Sequence, residues 1–260
     1  MAGVRRTMVG VLSPHHPDVL RAFRRCSPAD SAAGSSAPSG SHAAPPQPIL
    51  NHTATKVMRV IKEAKGTGSV SIPSKPRCWW SGEDSLYCDY HDKEWGLPVH
   101  DDRKIFEMLI LEGFQAGLSW ITILRKRDNF CKAFKNFDAR KVARFNHVDI
   151  ARLMKDQGII RNRLKIEGAI TNARRFLEVQ KEFGSFDQYI WRFTGNRTLR
   201  YRKGLTRKTM KATSPESAAL SKDLRQRGFK FVGPTVCCAH MQATGMVDDH
   251  VEGCFKYYKR

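Results

Sequence analysis

Residues 101–134 read DDRKIFEMLILEGFQAGLSWITILRKRDNFCKAF, and their apolar positions recur at intervals of three and four, the helical period. Asp101 or Asp102 can supply the N-cap of a first helix. Its inner face carries Ile105, Phe106, Leu109 and Ile110, and it is expected to stop around Gly113. Residues 118–134 form a second helix with Trp120, Ile121, Leu124 and Phe134 inward. The same period extends outward to short helices at 139–145 and 148–155, a long one at 164–182, and another over 235–244. Ser214 followed by Pro215 marks an N-cap and first-turn proline for a helix running to about Arg227. No stretch alternates convincingly with period two, so the fold class is all-α.

Ahead of this helical part the composition changes. The run SPADSAAGSSAPSGSHAAPPQPI, residues 27–49, lacks apolar periodicity and cannot bury enough surface to offset its ordering entropy. Residues 1–74 are therefore expected to be a disordered basic extension with at most a short helix around 54–64, and residues 75–260 the folded domain. The first 25 residues are Arg-rich with Asp18 as their only acid, the composition of an organellar transit peptide or of a flexible basic arm. The expected location is the nucleus, with a plastid or mitochondrion as the alternative.

Charge limits the choice of partner. The chain carries 45 Lys+Arg against 25 Asp+Glu, a net +20. Residues 1–77 hold 11 basic and 3 acidic side chains, and residues 78–260 hold 34 and 22. Both parts favour a polyanion, nucleic acid ahead of anionic lipid. No apolar run approaches the roughly 20 residues that span a bilayer. Seven cysteines without a signal-peptide apolar region do not make a secreted disulfide scaffold, which leaves some of them free for metal.

Two basic segments are candidates for phosphate contact. Residues 156–165, DQGIIRNRLK, form a glycine-containing turn between helices, of the helix-hairpin-helix kind, and offer Gly158, Arg161, Arg163 and Lys165 to a DNA backbone. The second glycine usual in such hairpins is absent, because Asn162, Arg163 and Leu164 occupy its candidate positions. Residues 197–211 hold Arg197, Arg200, Arg202, Lys203, Arg207, Lys208 and Lys211 without an acid and read as a solvated loop.

His250 and Cys254 stand four apart, within one helical turn, and Cys78 and His91 flank an aromatic cluster near the start of the domain. Together they make a Cys₂His₂ set that zinc accepts, and a closed four-ligand site would tie the two ends of the domain. Cys88, Cys237, Cys238, His100 and His240 compete for the same role.

Residues 78–95, CWWSGEDSLYCDYHDKEW, place three tryptophans and two tyrosines among acids and turn formers. This makes a poor regular helix but a good aromatic-lined pocket. Downstream, in LEGFQAGLSW at 111–120, Glu112 sits in an apolar helix end where an ionised carboxylate is costly unless paired or used. It can accept hydrogen bonds from a cationic base, or pair with an arginine.

Five ordered blocks, LYCDYHDKEWGLPVHDD, LEGFQAGLSWITIL, GIIRNRLKI, ALSKDLRQRGFKFVGPT and VDDHVEGC, closely resemble the 3-methyladenine DNA glycosylase I (Tag) family over about residues 77–254. The resemblance implies an all-α helix-hairpin-helix DNA glycosylase fold with a structural zinc on Cys78, His91, His250 and Cys254 and no organic cofactor. It also implies a base pocket in which Glu112 recognises the base and Tyr87, Tyr90 and Trp120 stack on it, with Trp80 and Trp95 alongside. The implied partner is double-stranded DNA containing alkylated adenine, bound by a monomer that releases the base without lyase activity. Phe114 and Leu164 depart from the family pattern, where a polar residue and a glycine are usual. A zinc-containing DNA-binding module without excision is the alternative. Cys26, Cys88, Cys131, Cys237 and Cys238 have no assigned role.

Overall fold

The computed structural model describes residues 75–200 and 205–257, and among them every regular element is helical. The helices are α1 (Ser85–Lys93), α2 (Asp102–Gln115), α3 (Trp120–Ala133), α4 (Ala139–Val142), α5 (His147–Lys155), α6 (Arg163–Phe183), α7 (Phe186–Trp191), α8 (Pro215–Gln226) and α9 (Pro234–Ala243). Three short 3-10 turns stand at Trp79–Ser81, Lys135–Phe137 and Arg192–Thr194. Among the described residues, backbone pairing of the β type is confined to one isolated bridge between Leu199 and Val247. The expectations for residues 1–74, including the helix near 54–64, lie outside the described residues.

Helix α2 is the centre of the domain. Every residue from Ile105 to Phe114 is buried, and α3, α6 and α9 pack around it. A helix enclosed on several sides must be apolar around most of its circumference, which explains why its run from Met108 to Leu111 has no polar break. Aromatic pairs fill the spaces between helices. Phe106 packs edge-on to Phe176 at 5.0 Å, and Phe114 meets Phe130 and Phe134 at 4.8 and 5.6 Å. The family departure at Phe114 is thus a core residue.

Helix starts follow the sequence reading closely. Asp101 caps α2 by accepting from the Lys104 amide at 2.8 Å, and Ser214 caps α8 with Pro215 in the first turn. Asp102 serves a neighbouring helix instead, since its carboxylate accepts the Phe186 and Asp187 amides and so caps α7. Two expectations need correction. Helix α2 continues past Gly113 to Gln115, because Phe114 is still buried in the core. Ser85–Lys93, in the stretch read as a poor helix former, is a helix, since Asp84 caps it by accepting from the Tyr87 amide at 3.2 Å.

A partly buried charge network links the helices that carry the site. Arg127 of α3 donates to both oxygens of Glu94, just past α1, at 2.8 and 2.9 Å, and to Glu107 of α2 at 2.6 Å. Lys104 bridges the same two carboxylates at 3.0 and 3.2 Å. Two cations meet two anions, so no buried charge is left uncompensated.

Candidate active site and metal cluster

A cavity of about 160 Å³ opens between α1, α2, α3 and α9, lined by Trp80, Tyr87, Tyr90, Trp95, Glu112, Gln115, Trp120, Met210, Ala239, Gln242 and Ala243. A cleft of this size has room for one small planar ligand. All six residues named for the pocket from sequence converge here, from three helices, the turn before α1 and the segment just after it. Trp80 packs against Tyr87 at 5.2 Å and Trp95 at 4.8 Å, while Tyr90 meets Trp120 at 5.5 Å, so the walls are faces and edges of aromatic rings. Gln115, Met210, Ala239, Gln242 and Ala243 were not foreseen. They are ordinary residues whose placement depends on how α9 and the 205–211 segment pack.

Glu112 is the one carboxylate on the cavity wall among the described residues, and it is only 2% exposed. It does not pair with an arginine. Its Oε2 lies 2.7 Å from Nδ1 of His240 on α9, and its Oε1 has no protein partner. Burial raises its pKa above the usual carboxylate range, against which the neighbouring His240 pulls downward. The indole nitrogen of Trp120 is likewise buried and unpartnered. An acceptor and a donor without protein partners thus belong to the same aromatic cavity. Burial pushes the Tyr87 hydroxyl up to about 12 and that of Tyr90 well above its usual value, so both rings present neutral phenols.

Behind Trp80 and Trp95 lies the second cluster. Cys78, His91, His250 and Cys254 are all buried, with one ligand atom from each lying within 4.8 Å of the others. Sγ of Cys254 is 3.4 Å from Nε2 of His91 and 3.6 Å from Nδ1 of His250, and Sγ of Cys78 is 3.6 Å from the same Nδ1. A tetrahedral ion with metal–sulfur bonds of about 2.3 Å and metal–nitrogen bonds of about 2.05 Å requires sulfur–nitrogen edges of about 3.6 Å. The residues therefore fit a metal ion. Burial holds His250 down at about 4 and pushes the Cys78 thiol up to about 12. Neutral imidazoles are ready ligands, and such thiols ionise only beside a cation.

The surroundings orient these donors. Asp92 sits 2.8 Å from Nδ1 of His91, turning Nε2 toward the cluster, and Arg77 holds Asp92 with two bonds of 2.8 Å. Gly96, at φ +77°, leaves room for His250, whose Nε2 would lie 2.9 Å from a β-carbon there. Lys256 donates to the carbonyls of His91, Asp92 and Trp95, which fastens the C-terminal segment onto the end of α1. Four of the five competing residues are engaged elsewhere: His100 with Asp187, His240 with Glu112, Cys88 with the Gly82 carbonyl and Cys237 with that of Val232.

The hairpin between α5 and α6 differs in part from its reading. Arg161 and Arg163 are exposed, Arg163 lying 3.5 Å from Glu167. The Gly158 amide is bound to the Asp156 carboxylate at 2.8 Å. Lys165 donates to the carbonyls of Phe114 and Ala116 at 2.8 and 2.6 Å, where the C-terminus of α2 has unsatisfied acceptors. Gly158 and Lys165 thus serve the turn itself and α2, leaving the two arginines as outward-facing groups. Leu164 is 70% exposed on the same turn.

A family model described as methyladenine glycosylase matches residues 80–257. The chain belongs to the methyladenine glycosylase family. DNA-3-methyladenine glycosylase 1 of Escherichia coli (strain K12) is 48% identical over 181 residues, covering 70% of this chain and 96% of that protein. The DNA-3-methyladenine glycosylase of Haemophilus influenzae is 44% identical over 178 residues, covering 68% and 96%. A crystal structure of 3-methyladenine DNA glycosylase I matches the fold with a TM-score of 0.68 at 45% identity, covering 70% of this chain and all of that one. The Staphylococcus aureus enzyme, solved to show how it recognises 3-methyladenine, gives 0.66 at 34% identity over 71% and 97%.

Proposed function

We propose that this enzyme hydrolyses the N-glycosyl bond of 3-methyladenine in alkylated double-stranded DNA, acting as a monomer and leaving an abasic site with the strand intact. The observation that carries the proposal is Glu112, a buried carboxylate with one oxygen unpartnered in a cavity walled by aromatic rings. Alkylation at N3 gives adenine a formal positive charge, so the base departs neutral and needs no general acid. The work left to the protein is extrusion, orientation and water control. Unstacking a damaged base costs a few kcal/mol, and stacking returns roughly 1–3 kcal/mol per base, which Tyr87, Tyr90 and Trp120 can supply. Glu112 then favours a cationic purine over a neutral one and stabilises positive charge developing on the sugar as water attacks.

Hydrolysis without strand cleavage is consistent with a cavity wall that includes no lysine among the described residues. Two solved relatives support the pocket roles. One is a Tyr-to-Phe variant in complex with 3-methyladenine, the other a Glu-to-Gln variant, and the altered positions differ by 22 in number, as Tyr90 and Glu112 do here. DNA is gripped by the exposed Arg161 and Arg163 of the hairpin. The basic 205–211 segment, whose Met210 lines the cavity, contributes as well. Zinc is the ion we assign to Cys78, His91, His250 and Cys254, because two thiolates and two imidazoles form a closed tetrahedral set that leaves no position for a substrate. When bound it supplies structure by joining the ends of the domain. The basic, Arg-rich N-terminal sequence fits action in the nucleus, or in a plastid or mitochondrion if it is a transit peptide.

The test is incubation of the full chain with methylated duplex DNA and chromatography of what is released. Free 3-methyladenine is expected, together with abasic sites that break only on later treatment with alkali. DNA binding without any base release would instead identify a silent DNA-binding module, and immediate strand breaks would refute monofunctional hydrolysis.

A further inference from the structure

The Glu112 carboxylate is held by one oxygen only. Oε2 is 2.7 Å from Nδ1 of His240, and Oε1 has no partner. His240 is 1% exposed, and its other ring nitrogen, Nε2, also has no partner. An ionised Glu112 can only accept, and toward it the proton lies on Nδ1. With the proton there and a lone pair on Nε2, no buried N–H is left unsatisfied. A doubly protonated ring would place a second N–H and a positive charge where the structure gives Nε2 no acceptor. The backbone at His240 is held within its own helix, where the His240 carbonyl accepts both the amide and the hydroxyl of Thr244, at 2.9 and 2.6 Å. The other titratable groups that feel Glu112 are Tyr90 on α1 and Cys237, one turn earlier on α9. Burial keeps both protonated, so neither cancels the carboxylate charge.

We propose that His240 is a positioning residue for base recognition: as the Nδ1–H tautomer it holds Glu112 by Oε2, frees Oε1 for the base, and leaves the pair with a single negative charge. This rests on the reading of Glu112 as the group that meets the base. A pair of net charge −1 favours a cationic purine. A doubly protonated His240 would neutralise Glu112 and remove that preference.

The experiment uses the full chain, single-turnover release of 3-methyladenine from methylated duplex DNA across pH, and two variants. His240→Phe keeps a ring and deletes the donor. His240→Asn keeps an N–H near the place of Nδ1. His240→Phe is expected to slow release roughly 10- to 100-fold, the effect of losing one hydrogen bond to a charged group. Its acidic limb should also move to higher pH, because the hydrogen bond from Nδ1–H favours the ionised form of Glu112. His240→Asn should restore most of the rate and return the limb toward its original place. Wild-type rate and pH profile in His240→Phe would overturn the proposal, as would equal impairment in both variants with an unmoved limb, which marks a packing role. Should His240→Phe fail to fold by thermal melting, ¹⁵N-histidine NMR of the unaltered protein decides. A protonated Nδ1 with a bare Nε2 at neutral pH supports the assignment, and an Nε2–H tautomer or a doubly protonated ring refutes it. Failure of the unaltered enzyme to release 3-methyladenine would sink the proposed function instead, and the tautomer would remain readable.

Discussion

At the scale of single residues, a carboxylate kept in an apolar wall is a cost the fold carries for the site. Burial raises the pKa of Glu112, which means folding favours its protonated form. For an acid raised in this way, the favourable contribution to stability is complete below the unfolded value and lost as pH rises through the folded one. The ionised side chain therefore weakens the fold at neutral pH. Glu112→Gln keeps the shape and an acceptor for His240 while removing the charge. Its melting temperature is expected to equal or exceed that of the unaltered chain, while release of 3-methyladenine falls roughly 100-fold or more, by analogy with the loss of one electrostatic contact to a transition state. Paired melting and excision assays check this; a variant that melts early, or that excises normally, would contradict the role given to Glu112.

At the scale of elements, the pocket depends on three helices held in register by charges that the sequence did not pair. Glu94, Glu107, Lys104 and Arg127 looked like ordinary charged positions, because which of them meet depends on how α1, α2 and α3 cross. The same limit hid His240: only packing shows that it faces Glu112 rather than a metal. What was legible came from local chemistry, such as the caps at Asp101 and Ser214, the apolar run of α2, and the tryptophans and tyrosines around Cys78. The bonds of Lys165 to the end of α2 were equally hidden, because a lysine in a basic turn is indistinguishable in sequence from one bound to the end of another helix. The network itself is testable. Burial alone would raise the pKa of Glu94, but the hydrogen bonds and charge of Arg127, with Lys104, hold it at about 2. A depressed acid contributes stability above its unfolded pKa and loses it as pH falls toward the folded one, here between about pH 5 and 2. At 1.36 kcal/mol per unit that amounts to as much as about 3 kcal/mol. Arg127→Met leaves Lys104 as the one remaining cation for the two carboxylates and is expected to cost about 1.5–3 kcal/mol at neutral pH. The part of the acid-induced loss that is due to Glu94 should shrink in this variant, where Lys104 alone still holds that carboxylate. Urea unfolding at pH 6 and pH 3 measures both effects, and an unchanged acid dependence in the variant would remove Glu94 as its source.

At the scale of the whole molecule, the metal cluster and the base pocket share a wall. The Trp80 ring lies 5.2 Å from that of His91, and Trp95 meets His250 edge-on at 4.7 Å, while both tryptophans also line the cavity. The four side chains bring together positions as far apart as Cys78 and Cys254, so an ion bound by them would close the domain behind the aromatic cavity. No ligand of the cluster lines the cavity, and this separates stability from chemistry. Cys254→Ser is expected to lose its equivalent of zinc. If the clasp contributes even about 3 kcal/mol, the melting temperature falls by about 6–12 °C for a domain of this size. Well below that lowered melting point, release of 3-methyladenine should decline only a few-fold, through loosening of Trp80 and Trp95, and far less than in Glu112→Gln. Metal analysis, melting and excision on the same preparation distinguish the outcomes. A variant that keeps zinc refutes Cys254 as a ligand, and one that loses zinc without losing stability refutes the clasp. One that stays folded yet excises no better than Glu112→Gln would show that the ion acts on the chemistry through the shared aromatic wall.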